Sequence, residues 1–315
     1  MSKNLISASS ISKAEAIQII SLAESLKARQ AEPNLRSLLS AKTVANVFYE
    51  DSTRTRISFE LAAKRLGADV VNFSTKGSSV SKGETFSDTL STLDAMAVDA
   101  FVLRSPESGA ASELLASGLT KAAVINAGDG TNEHPTQALL DALTIRERFS
   151  LSGSHDLTGI SVLITGDIKH SRVARSNCFL LSTLGAHVTL CAPADFLPDS
   201  GFGEDSRLIS DFDEALAAKP NVVMMLRVQA ERMDKDLMPS AADYIAGYQL
   251  NAQRESTLSA QSIVMHPGPM NREFEITSAV ADGQRSAIRQ QVTNGVFARM
   301  AVLYSTITDR LSIDV

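Results

Sequence analysis

Alternation between two hydrophobic periods, run through twice, constrains this chain more than any other feature. Thr43 to Tyr49, Asp69 to Ser74, Val98 to Leu103 and Ala122 to Asn126 are short runs of apolar or β-branched residues. Between them, Arg54 to Leu66, Thr85 to Ala97 and Glu107 to Ser117 carry helical spacing. Strands joined through helices pair in parallel by right-handed crossovers, so this half reads as βαβ units around a parallel sheet. Ahead of it, Ser12 with Glu15 has capping-box spacing, and Ile17, Ile20, Leu22 and Leu26 give an amphipathic helix. A long helix, about Pro135 to Phe149, closes the half. The Ser- and Gly-rich stretch Ser150 to Gly159 breaks the pattern and marks a domain boundary. Alternation then restarts, with Ile160 to Thr165, Ala186 to Cys191, Asn221 to Leu226, Asp243 to Ala246 and Ser262 to His266 as strands. In the last segment, Gln284 to Thr308, Ile288, Val292, Val296, Met300 and Leu303 fall at helical spacing. That helix is long enough to run back to the first domain. The expectation is an α/β protein of two domains, each a parallel sheet flanked by helices, joined by long crossing helices. Residues 1–149 with the C-terminal helix 284–315 form one domain and residues 150–283 the other. Ligands of parallel sheets bind outside the carboxyl ends of the strands, so the site is expected in the cleft between the domains.

Composition narrows what can bind there. Thirty Lys and Arg stand against thirty-six Asp and Glu, a net charge of −6, which disfavours nucleic acid and anionic membranes as partners. With no Trp and 5% aromatic residues, stacking platforms for sugars or bases are disfavoured too. Two cysteines and five histidines cannot supply a zinc cluster of tandem Cys pairs, so no metal is expected and Cys178 and Cys191 read as buried thiols. Met1 to Ser10 has no sustained apolar core of a secretory signal, and the longest apolar stretches, such as Val222 to Leu226, are too short to span a bilayer. A cytoplasmic protein is expected, holding its ligand by polar and charged groups.

Such groups collect at the predicted strand ends. After Tyr49 comes Glu50-Asp51-Ser52-Thr53-Arg54-Thr55-Arg56, then Ile57-Ser58-Phe59-Glu60 at the start of a helix. Free backbone N–H groups, hydroxyls and the positive end of the helix dipole suit a phosphate. A plain N-cap accounts for Ser and Thr alone; the interleaved Arg54 and Arg56 favour phosphate. The loop Ser78 to Thr85 contains Lys82-Gly83, the reverse of the Gly-Lys order of a P-loop, and reads equally as a solvated loop. Arg104 follows a strand and either faces the cleft or caps a neighbouring helix. His134 and Gln137, one helical turn apart after Gly128-Asp129-Gly130, can reach one small ligand, although a lone His is commonly structural. In the second half, Gly166 to Arg172 is a strand-turn-helix without a dinucleotide fingerprint. Arg227-Val228-Gln229 ends another strand, and His266-Pro267-Gly268-Pro269 a third. Cleft-facing arginines in an acidic protein fit a small polyanion, because guanidinium forks match carboxylate and phosphate.

Ser52-Thr53-Arg54-Thr55-Arg56 with Ser58-Phe59-Glu60, together with His134-Pro135-Thr136-Gln137, resembles the carbamoyltransferases that use carbamoyl phosphate. The motif pair is highly specific, and the resemblance runs along essentially the whole chain. Lys82-Gly83-Glu84-Thr85, Arg227-Val228-Gln229 and His266-Pro267-Gly268-Pro269 are similar to the aspartate-using branch. The ornithine branch carries an Asp-x-Trp and Ser-Met-Gly signature and His-Cys-Leu-Pro, whereas this chain has no Trp and has Pro267 in place of that Cys. The resemblance implies transfer of the carbamoyl group to the amino group of L-aspartate, giving N-carbamoyl-L-aspartate and phosphate, an early step of pyrimidine biosynthesis, with no cofactor. It implies that Ser52, Thr53, Arg54 and Thr55, helped by Arg104, hold the phosphate. Thr55, Arg104 and His134 would donate to the carbonyl oxygen, and Gln137 with the segment Pro267, Gly268 and Pro269 would orient the carbamoyl amino group. Arg172, Arg227, Gln229 and Lys82 would fix aspartate. It further implies a homotrimer in which Ser78 and Lys82 enter a neighbouring subunit's site, with regulatory chains or a dihydroorotase as possible further partners. Glu50 would pair with Arg172 or Arg232 when the cleft closes. Two other readings compete: a carbamoyltransferase for another acceptor, such as ornithine, and a two-domain module that binds an anion without chemistry. A catalytically silent partner is weakened, because each family position carried over holds a suitable residue.

Overall fold

The computed structural model describes residues 3–74, 83, 85–151, 153, 155–203, 206–228 and 240–313. Ser78, Lys82, Gln229 and Arg232 lie outside the described residues. The chain divides into two compact units, residues 1–143 with 293–315, and residues 144–292.

The first unit opens with α1 (Lys13–Ala28), whose capping box forms between Ser12 and Glu15 and whose Ile19, Ile20, Leu22 and Leu26 are buried. β1 (Thr43–Phe48), α2 (Thr53–Leu66), β2 (Asp69–Ser74), α3 (Phe86–Ala95), β3 (Ala100–Ser105), α4 (Ala110–Ser117) and β4 (Ala123–Asp129) follow. The strands form one parallel sheet in the order β2-β1-β3-β4, as the alternation predicts. Val47, Phe101, Leu103 and Val124 pack with Leu90, Leu93 and Leu114 in its core. Each such side chain contributes about 1.5–3 kcal/mol by leaving water. β3 starts two residues later than expected, because Asp99 turns its carboxylate onto Thr43 N and Lys42 Nζ, both at 2.9 Å. The strand then runs on through Arg104, which takes that cation into the sheet. Leu5 covers the outer side of β4, its N–H donating to Val124 O and its carbonyl accepting from Asn126 N.

In the second unit β5 (Ser161–Thr165), α6 (Arg172–Thr183), β6 (His187–Cys191), β7 (Arg207–Ile209), α7 (Phe212–Ala217), β8 (Val222–Met225), α8 (Ala241–Tyr248), α9 (Ala252–Thr257), β9 (Ile263–Met265) and α10 (Ser278–Ala281) build a second parallel sheet, ordered β7-β6-β5-β8-β9 with all neighbouring pairs parallel. Asp243 to Ala246, expected as a strand, lies instead in α8. The Ser240 hydroxyl accepts from Asp243 N at 3.1 Å and starts a helix there, while the buried Tyr244 stacks on Phe274 with ring centres 5.1 Å apart. The fifth strand is β7, three residues long and too short to show a period of two. α5 (Pro135–Arg148) and α11 (Ile288–Thr308) each contain a boundary between the units. α11 begins four residues later than its spacing suggests, because Val264 N donates to Arg285 O and Ala287 N to Val264 O, drawing residues 285–287 alongside β9. Cys178 and Cys191 are buried, and burial pushes both thiols up to about 12, so neither forms a thiolate at neutral pH. Among the described residues no helix is long and apolar enough to cross a membrane.

Candidate active site

In the first unit the sheet register assembles the site. β1 pairs with β3 so that Phe48 lies opposite Arg104, which sets Arg104 beside the loop leading from β1 into α2. Arg104 is buried, and its groups reach three ways: Nη2 to Glu50 Oε1 at 3.0 Å, Nη1 to the carbonyl of Ala127 at 3.2 Å and to Thr55 Oγ1 at 3.5 Å. A cation at that depth needs such partners, because taking it from water without them costs several kcal/mol. The fork therefore ties the ends of β1, β3 and β4 to the first turn of α2. The Glu50 carboxylate, which would pair with Arg172 or Arg232 on closure, here accepts from Arg104.

At the start of α2 the Ser52 side chain makes no cap hydrogen bond. Ser12, Thr85, Ser171 and Ser240, by contrast, all cap their own helices. The first N–H groups of α2 and the hydroxyls of Ser52 and Thr53 thus stand beside the exposed Arg54, at the positive end of the helix. That combination favours a multiply charged oxyanion.

β4 supplies the next pair. Asp129, itself buried, accepts from Gly109 N at 2.7 Å, Asn126 Nδ2 at 2.9 Å, Asn132 Nδ2 at 3.0 Å and Glu133 N at 3.0 Å. The Glu133 carboxylate then accepts from Ala8 N at 2.7 Å and from the Ser7 hydroxyl. His134 is buried directly after this pinned loop and immediately precedes α5, its carbonyl accepting from Gln137 N at 2.9 Å. Gln137 Nε2 donates to Asp141 Oδ1 at 2.9 Å. A carboxylate only accepts when ionised, so this bond fixes the amide and turns Gln137 Oε1 away as a free-facing acceptor.

In the second unit the cationic candidates stand at the carboxyl ends of adjacent strands. Gly166 follows β5 with φ +143°, and a β-carbon there would lie 2.7 Å from Leu226 O. Only glycine admits that close approach, which lets the β5 turn sit against the end of β8. Asp167 is buried and accepts from His170 N at 3.2 Å and contacts His170 Nδ1 at 2.9 Å. Ser171 caps α6 and Arg172, buried, is its first residue. Arg227 follows β8, the neighbour of β5. Next along, β9 ends in His266 and the Pro267-Gly268-Pro269 segment. Gly268 N donates to His266 Nδ1 at 2.8 Å, so that nitrogen carries no proton and His266 Nε2 donates to Glu275 Oε1 at 3.2 Å. Glu275 Oε1 also accepts from Asn271 N at 2.6 Å. The two ends of the loop are held through one buried pair, with the Gly268 N–H turned inward.

The expected groups are thus brought to the strand ends of their own units: Ser52, Thr53, Arg54, Thr55, Arg104, His134 and Gln137 in the first, Arg172, Arg227 and Pro267 to Pro269 in the second. Ser78, Lys82 and Gln229 lie outside the described residues. Sequence reading missed Asp129, Asp141 and Glu275. Asp141 offered a signal, an acid one turn after Gln137; Glu275 offered none, since its partner is nine residues away in a loop.

Residues 3–147 match the family model described as aspartate/ornithine carbamoyltransferase, carbamoyl-P binding domain, and residues 158–306 match its Asp/Orn binding domain. The chain is 54% identical to the aspartate carbamoyltransferase catalytic subunit of Leifsonia xyli, over 96% of this chain and 97% of that one. It is 53% identical to the catalytic subunit of Kineococcus radiotolerans, over 98% of both chains. Among solved structures, aspartate transcarbamoylase of Trypanosoma cruzi in complex with N-(phosphonacetyl)-L-aspartic acid superposes with a TM-score of 0.85 at 33% identity, covering 96% of this chain and 95% of that one. The complex of the same enzyme with carbamoyl phosphate and aspartate gives 0.84 at 32% identity, covering 96% of both.

Proposed function

This chain belongs to the aspartate/ornithine carbamoyltransferase family, and from that premise we infer that it is the aspartate-using enzyme. It transfers the carbamoyl group of carbamoyl phosphate to the amino group of L-aspartate, releasing N-carbamoyl-L-aspartate and phosphate, the step that leads toward pyrimidines. The observation that carries the reading is the uncapped start of α2 beside the Arg104 fork, a cradle for a phosphate on a chain more than half identical to aspartate carbamoyltransferase catalytic subunits.

Ser52, Thr53, Arg54 and Thr55 take the phosphate oxygens with Arg104. Thr55, Arg104 and His134 donate to the carbonyl oxygen, where negative charge grows as the carbon becomes tetrahedral, and donors already in place need not reorganise. Gln137 Oε1 accepts from the carbamoyl amino group, as do the carbonyls of Pro267 and Gly268, and Pro269 keeps that segment rigid. Arg172, Arg227, Gln229 and Lys82 hold the two carboxylates of aspartate, so its neutral amine meets the carbonyl carbon. The new C–N bond forms, the amine proton passes to a phosphate oxygen, and the C–O bond to phosphate breaks. No protein carboxylate is needed as base, and most of the acceleration comes from orientation. The first unit serves carbamoyl phosphate and the second aspartate. The working particle is a cytoplasmic homotrimer in which Ser78 and Lys82 act on the neighbouring subunit's substrates. The name catalytic subunit borne by the relatives supports assembly into a larger complex.

Incubated with carbamoyl phosphate and L-aspartate, the purified protein is expected to release phosphate and carbamoyl aspartate in equal amounts, and to form no product with ornithine. Binding without phosphate release, or product with ornithine alone, overturns the reading. For the shared site, Lys82→Ala and Arg54→Ala subunits are each expected to be inactive and to regain activity when reassembled together. Mixed particles that stay inactive would refute it.

A further inference from the structure

Beneath the first turns of α2 lies a cation to which the mechanism above gives no part. Arg299, on α11, is 4% exposed, a depth arginines seldom reach without a partner. Gly295, one turn earlier, makes the room: a β-carbon there would lie 2.7 Å from Arg299 Nη1 and 3.3 Å from Leu140 Cδ2. Nη1 donates to the Gly295 carbonyl at 3.1 Å. The guanidinium carbon lies 5.2 Å from the ring centre of Phe59, the buried aromatic on the inner side of α2. The side chain therefore props the helix whose open end forms the phosphate cradle.

Three charged groups of that cradle act on it. Arg104 and Arg54 repel it and Asp141, the residue that holds Gln137, attracts it. Burial first, then the two arginines, hold the guanidinium well below the usual arginine range, at about 9, against the opposing pull of Asp141, so at neutral pH it is still a cation. A methionine or leucine would fill the same space and stack on Phe59 without the cost of a buried charge. The charge has to serve something other than packing. The feature it sits behind is an anion site in which Arg54 and Arg104 repel Arg299, and a bound dianion would relieve that repulsion.

We propose that Arg299 is a positioning residue of the phosphate site: a third guanidinium, fixed by Gly295 and Phe59 behind α2, that raises affinity for the phosphoryl dianion without touching it. The proposal rests on the phosphate role assigned to α2. Its test uses inorganic phosphate as the probe, read as the rise in Tm on titration, beside the steady-state constants. Arg299→Met is expected to keep or raise the Tm of the unliganded protein, to weaken phosphate binding about tenfold or more, and to raise KM for carbamoyl phosphate with a smaller change in kcat. Arg299→Lys is expected to recover part of the affinity. Gly295→Ala, which pushes the guanidinium aside while keeping its charge, is expected to weaken phosphate binding as well, and it decides the matter if Arg299→Met does not fold. A role in packing alone predicts the reverse pattern: lower Tm, unchanged phosphate affinity and no recovery by lysine. That outcome overturns the proposal. A wild-type protein whose Tm ignores phosphate overturns the cradle itself, and the role of Arg299 with it.

Discussion

Arg54→Ala is expected to lower kcat by roughly 10²–10³-fold, the cost of removing one preorganised donor from a developing negative charge. The fold should hardly notice. Arg54 is exposed in the first turn of α2, while the packing of that helix rests on Thr55, Phe59, Ala62, Ala63 and Leu66. Alanine is also the better helix former, so Tm should move by no more than about 2–4 °C, the shift that 1 kcal/mol gives a chain of this size. The two halves of the result discriminate between readings. A plain helix start predicts little loss of turnover, because an arginine at a helix N-terminus opposes the dipole and is dispensable there. Steady-state rates with a thermal melt on the same sample check it, and turnover within threefold of wild type would refute the phosphate role.

Glu275→Ala should destabilise the protein by roughly 2–6 kcal/mol, about 1–3 kcal/mol for each of two buried donors left without an acceptor. Glu275 and His266 are both fully shielded, so no water replaces the lost acceptor. Two donors are orphaned together, His266 Nε2 and the backbone N–H of Asn271, which Glu275 Oε1 accepts at 3.2 and 2.6 Å. The loop should loosen where the mechanism needs it stiff, since His266 Nδ1 holds Gly268 N and so aims the neighbouring carbonyls. Chemical denaturation is expected to show a lower midpoint. Glu275→Gln, which can still accept from both donors, should recover most of the stability. A Glu275→Ala protein as stable as wild type would show that the pair is not a strut.

Much of the site was legible in the residue order because its groups are local. Ser52 to Thr55 and His266 to Pro269 are each contiguous near the end of a predicted strand, and His134 and Gln137 lie one turn apart after a Gly-rich turn. What could not be read depends on partners distant along the chain. Which groups Arg104 reaches, and that Glu50 is one of them, depends on the register that sets Phe48 against Arg104. The misplaced strand at Asp243 to Ala246 has the same origin. Its apolar side chains suit either structure locally, and a Ser240 cap with Tyr244 against Phe274 selects helix.

From the sequence alone came the two α/β halves, the exclusion of stacking and zinc-cluster ligands, and the arginine-bearing strand ends, because hydrophobic period and charge are written residue by residue. Only the tertiary structure decided which of those charges are compensated. Glu50 on Arg104 and Glu275 on His266 are both acceptors brought by folding to buried donors. An electrostatic interaction depends on distance and on exclusion of water, and neither exists for residues 54 and 299 until the chain has folded.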